Sequence, residues 1–257
     1  MRSDGHEALR GLVAAGRPTT VGPALPFWPD EAVIQRRSAP DASPYVRSYL
    51  IMRFLVGLLG IAVPVLLVFG EPLLFDDRPF PLGSLSTYYY SGAREVLVGS
   101  LFVIGGFLAT YKIADHSWEN VASIVAGLAA ATVALFPTGR PGTGVPLTPL
   151  QASLGEAVVE RVHYGGGAVF FTSLAVISYL FSRSGPKTGR RSPAFWRRFH
   201  LACCGVIVAA LAFALVHLML DWPGKGLLIA EIVAVWAFGL SWFMKGFEIV
   251  EEALGMR

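Results

Sequence analysis

The sequence predicts an all-α polytopic membrane protein, a bundle of six transmembrane helices, and three observations predict it. Hydrophobic residues make up 54% of the 257-residue chain and charged ones only 15%, against about a quarter charged in an ordinary soluble domain. Mean hydropathy is +0.55. The apolar residues are gathered into six continuous runs, each near the roughly 20 helical residues needed to cross a hydrocarbon core of about 30 Å. They lack the ten-residue alternation of barrel strands, and only helices and closed barrels satisfy their backbone in lipid, so helices follow.

Residues 1–44 read as a cytoplasmic tail and residues 45–257 as the six-helix domain. In the tail, Gly11 to Gly16 is too short for the apolar core of a signal peptide and is followed at once by Arg17 and Pro18, so the tail is expected to be retained. Pro23, Pro26, Pro29, Pro40 and Pro44 oppose a long helix, while Phe27 and Trp28 suit the headgroup level. The spans are placed near Tyr49 to Phe69, Glu95 to Ile113, Trp118 to Phe136, Val162 to Phe181, Leu201 to Leu220 and Gly226 to Phe247. Pro64 should bend the first, which neighbouring helices can tolerate.

Orientation follows from Lys and Arg, because short basic loops stay in the cytoplasm. Arg36, Arg37 and Arg47 precede span one, and Arg183, Lys187, Arg190, Arg191, Arg197 and Arg198 lie between spans four and five. Acidic residues gather in the other loops, as Glu71, Asp76, Asp77, Glu156, Glu160 and Asp221. Both termini are therefore expected in the cytoplasm and the chain in the inner, or plasma, membrane. The net charge of +3 is explained by this topology, so no nucleic-acid partner is inferred, and the basic loop needs no bound lipid to account for it.

Helices in lipid associate through small residues that let backbones approach. Ser123, Gly127 and Ala131 recur at four-residue spacing in span three, Gly165, Gly166 and Gly167 open span four, and Gly99, Gly105 and Gly106 sit in span two. Spans two to four should form the tight centre. Cys203 and Cys204 are adjacent and point about 100° apart on a helix, which opposes a disulfide between them; they read as apolar filling.

Nearly every ionisable residue within the spans is assigned to one face of the membrane, the outer one. Arg94 and Glu95 open span two just after Ser86, span four enters with Glu160, Arg161, His163 and Tyr164, span five ends with His217 and Asp221, and span six carries Glu231. Such groups are costly in lipid and by default mark function. Arg94, Glu95, Arg161, His163, Tyr164 and Glu231 are therefore taken as ligand-binding candidates, with the arginines clamping a phosphate or carboxylate headgroup. His217 and Asp221 are four apart, suited to a base and its acid partner, with Ser86 as the nucleophile candidate. On the bland reading these same groups simply pair with one another near the interface.

The order Ser84-Leu85-Ser86-Thr87-Tyr88-Tyr89-Tyr90 before span two, a span ending near Tyr111, a third closing on Phe136-Pro137, and Val162-His163 opening a fourth with Phe170-Phe171 resembles bacterial six-helix membrane proteins distantly similar to the DRAM and FRAG group. The likeness covers about residues 49–182. It implies a lipid-related role without an established catalytic centre and marks Ser86, His163 and Arg94. The ceramidase-like transmembrane hydrolases are a more distant comparison, since their closing His-x-x-x-His stands here as His217-x-x-x-Asp221.

Three functional expectations result. The first is an outward-opening polar pocket that binds a lipid headgroup or other amphiphile; the second is a hydrolase of lipids with zinc held by His163, His217 and Asp221; the third is an accessory subunit with membrane-protein partners. A haem pair from His163 with His217 and His116 with His200 is arithmetically open but lacks a bracketing pattern. No internal repeat or matched pair of broken helices points to a transporter.

Overall fold

The computed structural model describes residues 44–75, 81–110, 117–184 and 191–253, and no strand occurs among them. The α-helices in chain order are α1 (Pro44–Phe75), α2 (Arg94–Thr110), α3 (Trp118–Leu135), the short α4 (Pro149–Leu154), α5 (Glu156–Arg183), α6 (Pro193–Met219) and α7 (Gly226–Ala253). A 3-10 helix, Ser86–Tyr90, precedes α2. Five helices, α1, α3, α5, α6 and α7, are long and apolar enough to cross a membrane. The 17 described residues of α2 extend about 26 Å at about 1.5 Å each. The tail with Phe27 and Trp28, and connector residues Asp76, Asp77, Asp115 and His116, lie outside the described residues.

Local chemistry sets the helix ends. Ser117 accepts from the Asn120 amide at the start of α3, Ser192 accepts from the Phe195 amide at the start of α6, and Thr148 with Gln151 forms a reciprocal capping box on α4. Gly155, at φ 87°, turns α4 into α5. The first helix runs through Pro64 and Pro72, each of which removes one backbone donor that packed neighbours in a bundle can offset.

Backbone proximity is greatest at two seams. A Cβ on Gly127 would lie 2.5 Å from the Gly105 carbonyl oxygen, and one on Gly166 would lie 3.0 Å from the Thr132 methyl, so α3 presses on both α2 and α5. The second seam joins α1 to α7, where a Cβ on Gly57 would lie 2.8 Å from the Phe243 backbone and Trp236 Nε1 donates to the Ile61 carbonyl at 3.0 Å. That seam was not singled out in the sequence, although Gly57 and Gly60 of α1 face Gly239 of α7 across it. Onward contacts run from α5 to α6 and from α6 to α7, and residues of all six long helices line one internal cavity.

Candidate functional site

The cavity has a volume of about 280 Å³ and walls that are mostly apolar, among them Val56, Leu101, Phe170, Leu174 and Phe238. Its polar lining is confined to a few groups, chiefly Ser84, Ser86, Ser100, His163, Tyr164 and Glu231. One end is closed by the segment around the 3-10 helix, which we call the plug. Ser84 Oγ accepts from the Thr87 amide at 3.1 Å and shapes that turn, while Tyr88 is fully buried beneath it.

Glu231 ties the plug to α7. Its Oε2 accepts from the Leu85 amide at 2.5 Å, its Oε1 lies 3.5 Å from Ser86 Oγ, and the Leu228 amide donates to the Gly83 carbonyl at 3.2 Å. The Leu85 bond is short; the Ser86 contact is at the edge of hydrogen bonding. His163 is buried, and its Nδ1 sits 2.6 Å from the Phe136 carbonyl oxygen, so that nitrogen carries the proton.

Beside the plug, the connection from α3 to α5 is knitted into a cap. Tyr90 Oη donates to the Thr138 carbonyl at 2.6 Å and accepts from Gln151 Nε2 at 2.7 Å. Arg140 holds Glu156 bidentately along one guanidinium edge, Nε to Oε1 at 3.0 Å and Nη2 to Oε2 at 2.8 Å. These hydrogen bonds raise the Arg140 pKa beyond its ordinary value. Burial pushes the Tyr88 and Tyr90 phenols up.

Of the residues singled out in the sequence, Ser86, His163, Tyr164 and Glu231 meet on the cavity. Arg94, Glu95, Arg161, His217 and Asp221 do not line it. Arg94 is exposed, donating to Tyr89 Oη at 2.6 Å with its guanidinium 4.3 Å from the Tyr89 ring centre. Glu95 is exposed beside it, and Arg161 turns back to the Ala157 carbonyl at 3.1 Å. His217 leans on Gly226 and stacks against Phe213, ring centres 6.3 Å apart.

The His217 and Asp221 pairing fails for a definite reason. Four-residue spacing places two side chains together only while the helix continues, and α6 ends at Met219. Asp221 then adopts φ 46° in an exposed turn. Among the described residues no group of three or more His, Cys, Asp or Glu is placed to hold a metal ion.

The sequence reading placed nearly every ionisable residue of the spans at the outer face, and a second set lies elsewhere. At the opposite end of the bundle Arg53, Glu119, His200, Lys245 and Glu248 are all buried. His200 Nε2 lies 3.1 Å from Glu248 Oε2 and its Nδ1 lies 2.9 Å from Ser241 Oγ, while Lys245 Nζ donates to Glu248 Oε1 at 2.7 Å and to the Ser184 carbonyl at 2.6 Å. The Arg53 guanidinium rests 4.9 Å from the Phe181 ring centre and 4.8 Å from that of Trp242. A signal for this cluster existed: Glu231, Ala234, Phe238, Ser241, Lys245 and Glu248 follow at alternating three- and four-residue steps, a single stripe of α7 with its polar members at both ends.

Fold, composition and helix length together define a helical integral membrane protein with an internal amphipathic cavity. No protein-family model, curated protein or solved structure matches this chain.

Proposed function

We propose that the chain is a six-span membrane protein that takes an amphiphile into its central cavity, apolar tail among the helices and polar head at the plug. The observation that carries this reading is the division of the lining, with Glu231, Ser84, Ser86, Ser100, His163 and Tyr164 in a wall otherwise mostly built of aliphatic and aromatic side chains. At about 280 Å³ the space exceeds the roughly 150 Å³ that holds a benzene in an engineered core and approaches the roughly 300 Å³ of small-ligand pockets. The head is a hydrogen-bond donor, an amine or hydroxyl, because the cavity offers a carboxylate while Arg94 and Arg161 lie off it.

Positive-inside bias supports placing the plug end of the cavity on the outer side, since exposed Arg183, Arg191, Arg197 and Arg198 lie at the far end. Native mass spectrometry of the detergent-purified protein tests the reading. Wild type should retain an amphiphile that the variants Ala234→Phe and Glu231→Leu lose, while Arg94→Ala and Arg161→Ala keep it. Equal retention by wild type and Ala234→Phe, or no retained amphiphile in any of them, would remove it.

A further inference from the structure

The buried cluster at the end of the bundle away from the plug plays no part in the cavity. Glu231 and Glu248 are 17 residues apart on α7, about 25 Å at about 1.5 Å per residue, with Phe238 and Trp242 between them, ring centres 5.5 Å apart. We propose that this cluster is a proton-binding site, with His200 as the group that takes up and releases the proton.

Access limits the ligand first. Ser241, His200 and Glu248 are at most 1% exposed, and none of the three lines the cavity or the groove between α3 and α5. With these side chains buried against one another, a proton is the ligand their hydrogen bonds can take without moving a heavy atom. The same fact sets aside a hydrolytic reading of the chain Ser241, His200, Glu248, since an acyl substrate has no space beside Ser241 Oγ.

Charge balance comes next. The ionisable groups that act on His200 are Glu248 and Lys245 from α7 and Arg53 from α1; Glu119 from α3 acts on Lys245 and Arg53, Tyr49 is hydrogen-bonded to Arg53 at 3.3 Å, and Glu251 lies one turn beyond Glu248 with a buried carboxylate oxygen. The α5 helix contributes the Phe181 ring, 5.7 Å from the imidazole. Protonating His200 adds one positive charge to this buried set. Burying that charge is costly, which makes the proton exchangeable instead of permanent. Glu248 opposes the cost by facing Nε2, and Arg53 and Lys245 add to it.

The hydrogen bonds then permit both states without moving a heavy atom. Facing a carboxylate, Nε2 is the donor, and Nδ1 faces a hydroxyl that can donate or accept. In the neutral ring the Ser241 hydroxyl donates to the Nδ1 lone pair; on protonation an Nδ1–H bond forms and the hydroxyl rotates to accept from it. His163 has no such freedom, because its Nδ1 faces a backbone carbonyl, which only accepts. A reporter is already in place, since the Trp196 ring lies over His200 at 6.2 Å and 21°.

The test uses full-length protein, labelled with 15N-histidine, in phosphatidylcholine nanodiscs titrated from pH 8 to pH 5. One ring should convert from the neutral Nε2–H form to imidazolium, with that signal missing in His200→Gln and with tryptophan fluorescence falling over the same interval. If His200→Gln does not fold, a variant with His6, His116, His163 and His217 all changed to Gln leaves His200 as the sole signal. A His200 ring that stays neutral at pH 5, or is already charged at pH 8, overturns the proposal.

Discussion

Replacing Glu231 by leucine should release the plug, and the size of the effect follows from what the carboxylate holds. The Leu85 amide, in a residue only 7% exposed, donates to Glu231 Oε2 at 2.5 Å. Leucine offers no acceptor, so a buried N–H is left unsatisfied at a cost of about 1 to 3 kcal/mol. The weak Ser86 contact at 3.5 Å adds little. At about 1.4 kcal/mol per factor of ten, local opening of the plug should rise roughly 5- to 150-fold. Hydrogen exchange reads this directly, because a protected amide exchanges in proportion to its opening. Exchange over residues 83–91 should accelerate by that factor in Glu231→Leu and by about fivefold in Glu231→Gln, which keeps a neutral acceptor. Glu95→Gln, exposed at the head of α2, should change nothing. Unaltered exchange in Glu231→Leu would refute the reasoning, since the plug would then be held by packing alone.

Gly127→Ala should destabilise the bundle by about 1 to 3 kcal/mol, because its Cβ would lie 2.5 Å from the Gly105 oxygen and force α2 and α3 apart; Gly99→Ala, with open space at its Cβ, is the control, and thermal unfolding in detergent compares them. Lys245→Met removes one partner of a buried pair and should cost about 3 to 5 kcal/mol, whereas Lys245→Met combined with Glu248→Leu should recover much of it; the same melts decide. Tyr90, whose phenol burial raises above its ordinary 10.0, contributes stability that is complete below pH 10 and is lost as pH climbs through the folded value. Wild-type melting temperature should therefore fall more steeply above pH 10 than that of Tyr90→Phe, which starts lower by the loss of its bond to Thr138.

The helices were legible because each apolar run carries its own signal. Span six was placed from Gly226 to Phe247 and α7 is Gly226–Ala253; span five was placed from Leu201, yet α6 begins at Pro193 under the Ser192 cap, since amphipathic Phe195 to Arg198 read as loop. Half of the site was legible too. Ser86, His163, Tyr164 and Glu231 stood out as polar groups at the ends of apolar runs, but depth along a helix does not give direction around it, and Arg94 and Arg161 point elsewhere.

What the sequence determined by itself is the membrane class and the helical character of its long apolar runs, because the cost of unpaired backbone in lipid leaves such a run little choice of conformation. The tertiary structure alone decided which charged groups meet. Arg53, His200, Lys245 and Glu248 stand on three helices, up to 195 residues apart in the chain from Arg53 to Glu248, and their mutual compensation exists only once packing turns those faces toward one another.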